Sequence, residues 1–215
     1  MIPSMTIAAL FAAGAAAGGG GGGGGTGWNP SDKTSNVTLT NSDLTAAANT
    51  NNYEAVRAVK NDFNTTVSAK YYWEVTVDAL ATAGDLLLGM RRTSDTISTG
   101  SVWTTGNYAL WRSNGNYYAN GWTAGSGPVS YTNGDILMFA IDTAAGKLWC
   151  GKNGTWNNSG DPAAGTNASF TTMPSSQDTA PVFHTDNDAG NDQATLVTDS
   201  GSMTYTVPTG FTAGF

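Results

Sequence analysis

From Trp28 onward the chain alternates between short apolar runs and clusters of Asn, Gly, Asp and Ser. Val37-Thr38-Leu39 alternates and stops at Asn41-Ser42-Asp43. Residues 71–77, YYWEVTV, predict a strand with Trp73, Val75 and Val77 on one face and Tyr72, Glu74 and Thr76 on the other, because successive side chains on a strand point to opposite faces. Leu86 to Leu88 is a short apolar run closed by Gly89. Residues 107–112, NYALWR, lead into Asn114-Gly115, and Tyr117-Tyr118 leads into Asn120-Gly121. Residues 136–141, ILMFAI, are apolar at every position, which predicts an interior strand covered on both faces. Its return strand spans 147–150 and ends near Lys152-Asn153-Gly154. Residues 180–184 and 194–197 are later strand candidates. Turn signals recur about every 8–12 residues, a spacing that predicts an antiparallel β-sandwich. No fixed-period repeat is visible, and no helical stripe appears outside residues 5–17.

The first 27 residues differ in kind. Residues 5–17, MTIAALFAAGAAA, form an apolar stretch that includes Met5, Ile7, Leu10 and Phe11, and eight glycines follow from Gly18 to Gly25. The stretch resembles the core of a signal peptide, yet no Lys or Arg precedes it and the first basic residue is Lys33. A helix needs roughly 20 residues to span a bilayer, so 13 is too short. The polyglycine run carries a large ordering cost when free. We therefore expect an arm over 1–27 that anchors the chain to a partner or to copies of itself, and a β-sandwich over 28–215.

Charge removes several classes of function. Charged residues make up 12% of the chain and the net charge is −7. Binding to nucleic acid needs clustered Lys and Arg. Here the nine basic residues are scattered, with Arg91-Arg92 the one adjacent pair. Neither a nucleic-acid nor a membrane partner is expected. The chain has one cysteine, Cys150, and one histidine, His184, so no internal disulfide can form and a thiol–imidazole pair has only these two members. A buried structural thiol is the expected reading. No phosphate loop, zinc spacing or nucleophile elbow is present, and neither cofactor nor metal is expected. Glutamate is limited to Glu54 and Glu74, too few for a promising pair of glycosidase carboxylates. Glu74 reads as a structural group hydrogen-bonded to neighbouring strands.

A family resemblance rests on ordered motifs. Tyr72-Trp73-Glu74-Val75, then Gly134-Asp135-Ile136, then Asp142, Gly146, Leu148 and Lys152-Asn153-Gly154 resemble a SPRY (B30.2-like) domain. Trp28-Asn29-Pro30 through Val37-Thr38-Leu39 to Val56-Arg57-Ala58, with Tyr205 to Phe211 at the close, resembles SPRY-like domains of bacteriophage structural proteins. The resemblance implies an all-β, bent antiparallel sandwich of jelly-roll type without catalysis, binding partners through loops at one end. It implies a place in the virion, in a tail fibre, a spike or a capsid decoration. The expected partners are other virion proteins through the arm, further copies of the chain (a trimer if a fibre), and a host-surface glycan or protein. One stretch departs from the pattern Leu-x-Phe-Tyr-Lys-Asn-Gly, because Leu148-Trp149-Cys150-Gly151 precedes Lys152. Alternation points Leu148 and Cys150 inward and Trp149 outward. Another ring must then fill the volume beside Cys150, and Trp149 becomes a candidate contact to a neighbouring chain.

The remaining candidate sites are aromatic or charged. Residues 103–131 hold Trp103, Tyr108, Trp111, Tyr117, Tyr118, Trp122 and Tyr131. Such a set either grips a glycan or protein, or fills the core with alternate rings. Tyr118 and Trp122, flanking Asn120-Gly121, are the expected exposed members. Arg91 and Arg92 read either as partners of an acidic or phosphate group, or as exposed cations at a strand end. Asp186, Asp188 and Asp192 lie close in sequence and offer oxygens to a hard cation, without the glycine and terminal glutamate of an EF-hand loop. The alternative is a solvated loop.

Overall fold

The structure is a computed structural model and describes residues 26–48, 52–81, 86–97, 109–119, 123–126, 129–173, 177–186 and 191–215, with 123–126 as backbone only. The arm residues Met5, Ile7, Leu10, Phe11, Gly18 and Gly25 lie outside the described residues, as do Trp103 and Trp122. Strands appear in the order β1 (Trp28–Lys33), β2 (Val37–Thr40), β3 (Thr45–Ala48), β4 (Glu54–Ala58), β5 (Lys70–Ala79), β6 (Leu86–Arg92), β7 (Ala109–Arg112) and β8 (Asn116–Ala119). They continue with β9 (Thr123–Ser126), β10 (Ile136–Asp142), β11 (Lys147–Lys152), β12 (Thr155–Trp156), β13 (Thr179–Thr185), β14 (Asp192–Val197) and β15 (Thr212–Ala213). Among the described residues no helix is long and apolar enough to cross a membrane.

Two sheets face each other. The β6 sheet has the order β1-β4-β13-β6-β7-β8-β9, and the β5 sheet has the order β12-β11-β10-β5-β14-β3-β2. All pairs within these two orders are antiparallel. The exception is β15, which runs parallel to β5 opposite Tyr71 and Tyr72. Pro30 is tolerated because β1 is an edge strand, where a missing N–H interrupts no ladder between two neighbours.

The core between the sheets follows the predicted alternation. Trp73, Val75 and Val77 point into it from β5, and Leu137, Phe139 and Ile141 from β10. Trp73 and Phe139 are opposite residues in register, and their rings stack at 5.4 Å and 12°. Phe63 and Phe215 meet the Trp73 ring from the sides, at 6.0 and 5.5 Å. Cys150 also points inward. Its missing aromatic volume is supplied from the other sheet. The Tyr117 hydroxyl reaches Ser169 Oγ at 3.4 Å, that same oxygen accepts from the Cys150 amide at 3.0 Å, and the Tyr117 and Phe170 rings meet at 4.9 Å.

The outer face of the β5 sheet is covered by the chain's own C-terminal segment. Tyr72, Met138, Ala140 and Trp149 form a second apolar layer there, packed under Met203, Tyr205, Val207 and Phe211. Glu74 fastens this strap. Its carboxylate accepts from the Tyr72 hydroxyl at 2.7 Å and from the amides of Thr204 and Tyr205 at 2.8 Å each. The Gly214 amide donates to Tyr72 O at 2.7 Å. A Cβ at Gly214 would sit 1.7 Å from Thr198 O, and its φ of +71° is the left-handed region that favours glycine.

This strap corrects the expectation for Trp149. The indole does point away from Cys150, as alternation requires. It is nevertheless buried, edge-on to Phe211 at 6.2 Å, with Nε1 donating to Thr166 O at 2.7 Å. Both of its faces of the sheet are closed, so it makes no surface for a neighbouring chain. Glu74 is structural, as the sequence suggests, but it holds the strap and its own strand's Tyr72 rather than neighbouring strands. At the other terminus, Thr26 and Gly27 belong to the body. Thr198 Oγ1 donates to Thr26 O at 2.8 Å, and the Val59 amide donates to Gly27 O at 2.9 Å.

Candidate functional site

The outer face of the β6 sheet is also apolar and buried. Alternation that sends Val56, Leu88, Trp111 and Phe183 into the core sends Ala55, Leu87, Leu110, Tyr118 and Val182 outward. These outward residues are all buried, and Ile97 packs against them. Tyr118, expected to be exposed, is 7% exposed, because this face is covered in its turn. Trp111, Tyr117 and Tyr131 are buried too, so each ring of the 103–131 stretch whose side chain is described serves packing.

All four arginines of the chain converge on this side. Arg57 makes a two-point pair with Asp32, Nε to Oδ2 at 2.7 Å and Nη2 to Oδ1 at 3.0 Å. Its third nitrogen donates to the carbonyls of Asp95, at 2.9 Å, and Arg92. Arg92 pairs with Asp95 at 3.1 Å and donates to Gln177 at 2.8 Å. Arg91 donates to Thr96 O at 3.2 Å. Thus Arg91 and Arg92 are not exposed strand-end cations. Arg91 is buried, and the acidic partner is Asp95 of the same chain. The planar guanidinium suits this work, since its fixed fork satisfies a carboxylate and carbonyls together. The group pins the segment 93–97 where it leaves β6.

A second anchor sits toward the opposite end of the sheet. Arg112 pairs with Asp186 at 2.7 Å and donates to the Tyr118 hydroxyl at 3.3 Å. Asp186 follows β13 directly, so this pair fixes the chain where it leaves β13. Asp192 accepts from the Ala81 amide at 3.1 Å. Asp188 lies outside the described residues, and among the described residues no cluster of three metal-ligating side chains occurs.

His184 lies between the two anchors, opposite Leu87 and Ala55 in register. It is 1% exposed and neither ring nitrogen has a hydrogen-bond partner. Burial, then the charges of Arg91 and Arg112, holds its pKa well below the ordinary 6.5. Cys150 belongs to the core-facing side of the other sheet, so the two residues form no nucleophile pair. Burial also pushes the Cys150 thiol far up, away from thiolate chemistry.

The surroundings of the arginines were invisible to sequence reasoning. Asp32, Asp95, Gln177 and Asp186 are far apart in the chain and carry no motif. The single legible signal was Arg91-Arg92 itself.

Comparison with known proteins agrees with this architecture. A family profile described as the SPRY domain matches residues 70–192, more than half of the chain. The SPRY domain of human HERC1 is 18% identical, with a TM-score of 0.62 over 80% of this chain and 97% of that one. A human SPRY domain is 12% identical, with a TM-score of 0.54 over 75% of this chain and 94% of that one. The TRIM65 PSpry domain is 15% identical, with a TM-score of 0.57 over 80% of this chain and 90% of that one. At these identities the likeness concerns the fold alone. No curated protein matches by sequence. The profile match, spanning strands from both sheets of the sandwich, makes this chain a member of the SPRY domain family.

Proposed function

We propose that this protein is a non-enzymatic interaction module that recognises its partner on the outer side of the β6 sheet, through the chain segments 98–108 and 187–190. SPRY domains generally mediate protein–protein interactions. One observation carries the proposal. All four guanidinium groups are engaged where the described chain meets these two segments. A binding loop on a rigid base loses less conformational freedom on docking. In sequence Trp103 falls between β6 and β7, and Trp122 between β8 and β9. They are the proposed contact residues, and Trp122→Ala is expected to weaken partner binding without lowering stability.

The finer reading is a virion protein, with the Ala/Gly arm ahead of Thr26 anchoring it in the particle or bundling with copies of itself. It rests on the motif resemblance and on the arm's composition. Mass spectrometry of purified particles tests it, and a particle without this chain overturns it. Deleting residues 1–25 is expected to abolish attachment while leaving the sandwich folded. An arm-less chain that still attaches and assembles overturns the anchoring role.

A further inference from the structure

A recess lies away from the arginine anchors, beside the β11–β12 turn. It has a volume of about 370 Å³ and is lined by Val129, Lys152, Asn153, Thr155, Trp156 and the Asn157-Asn158 turn. That places it at the lower end of the range for small-molecule sites, roughly 300–1,000 Å³.

Its parts are held rigidly from behind. Trp156 is half-buried, with its ring edge-on to Tyr72 at 6.1 Å. A Cβ on Gly151 would lie 3.0 Å from Trp156 Cε3, so the indole rests directly on the β11 backbone. Asn153 Oδ1 accepts from the Ile136 amide at 2.8 Å, and its Nδ2 donates to Asp135 at 2.7 Å. Asn157 is buried and donates to the Tyr117 hydroxyl at 2.6 Å. That bond orients the following residue, Asn158, whose φ is +58°.

Other groups at the recess are open. Thr155 and Asn158 are exposed, and their side chains hydrogen-bond to nothing among the described residues. The Trp156 N–H is likewise without an acceptor there. No net charge is on offer. Lys152 donates to Ser130 O at 2.8 Å and meets Asp135 at 3.3 Å. Burial opposes the charge on Asp135, but the Thr132 amide, Asn153 and Lys152 outweigh it and keep its carboxyl below the ordinary range. The chain as a whole is acidic, at −7.

A fixed aromatic surface, ringed by neutral donors and acceptors, matches a ligand with one apolar face and a rim of hydroxyls. We propose that this recess binds a neutral hexose unit of a glycan, with Trp156 against the sugar's C–H face and Thr155, Asn158 and the indole N–H on its hydroxyls. Acidic sugars are disfavoured by the net charge.

The test uses the full chain on an array of neutral and acidic glycans, followed by calorimetry with the neutral hexoses that bind. Thr155→Val and Asn158→Gly lie on the surface, and glycine keeps the left-handed backbone at 158. Each is expected to weaken binding about tenfold, the equivalent of about 1.4 kcal/mol, without changing the melting temperature. Trp156→Ala is expected to abolish binding, and the two surface variants decide the matter if that variant unfolds. Absence of any neutral-glycan binding overturns the proposal. So does binding that survives all three substitutions, or that is lost in Trp122→Ala alone. The first two outcomes leave the β6-sheet reading untouched, and the third assigns the glycan to that face instead.

Discussion

His184 shows how much one buried side chain can dictate. Its imidazole has no partner at either nitrogen and sits between Arg91 and Arg112, so the folded chain resists protonating it. The unfolded chain takes up that proton near 6.5. The sign follows from linkage. Stability is fully present above the unfolded value and is lost as pH falls below it, because the unfolded state then binds more protons. Melting curves from pH 7.5 down to 5 should therefore show a falling Tm. His184→Leu should flatten that slope and cost little at neutral pH, since it removes two unpartnered nitrogens. Glu74 is the opposite case, a buried carboxylate with three donors around it. Glu74→Ala strands two amides and a hydroxyl, and should cost roughly 3 kcal/mol in urea unfolding. Glu74→Gln, which keeps one acceptor, should cost less.

Elements of the sheets were legible where side-chain periodicity is strong. YYWEVTV and ILMFAI are found as β5 and β10, opposite each other in register. Strand β3 was not legible, because Thr45-Ala46-Ala47-Ala48 has little β-propensity and is held by pairing with β2 and β14. Trp149 marks the deeper limit. Period-two alternation correctly divides side chains between two faces, but it cannot say which face meets water. Only the strap, brought from more than fifty residues downstream, decides that. The strap makes its own prediction. Gly214→Ala forces a Cβ against Thr198 O in a left-handed backbone, and should destabilise by about 1–3 kcal/mol. Binding of a hydrophobic dye should rise as Tyr72, Met138 and Trp149 are uncovered.

At the scale of the whole molecule, the sandwich has three layers of contact rather than one. The core between the sheets is flanked by the strap on one side and by the arginine-braced segment on the other. This explains why Tyr118 and Trp149, two rings expected at the surface, are found inside. Among the described residues Val67 is the one large hydrophobic side chain that is exposed. The polar lattice was illegible because it joins Asp32, Arg57, Arg92, Asp95 and Gln177 across three strands and two connecting segments. Motifs reveal residues that act together only when spacing along the chain fixes spacing in space.

The inward turn of Cys150 has a practical consequence in chemical reactivity. It is the chain's one thiol, shut inside the core on β11 and kept protonated by burial. A disulfide reagent can reach it only when the two sheets part. Its labelling rate therefore clocks the opening of the sandwich, with no mutation or probe added. Under conditions where closing outruns labelling, that rate should track global unfolding across a urea series. Labelling that proceeds at a constant rate through low urea would reveal a local breathing route at the β10–β11 hairpin instead.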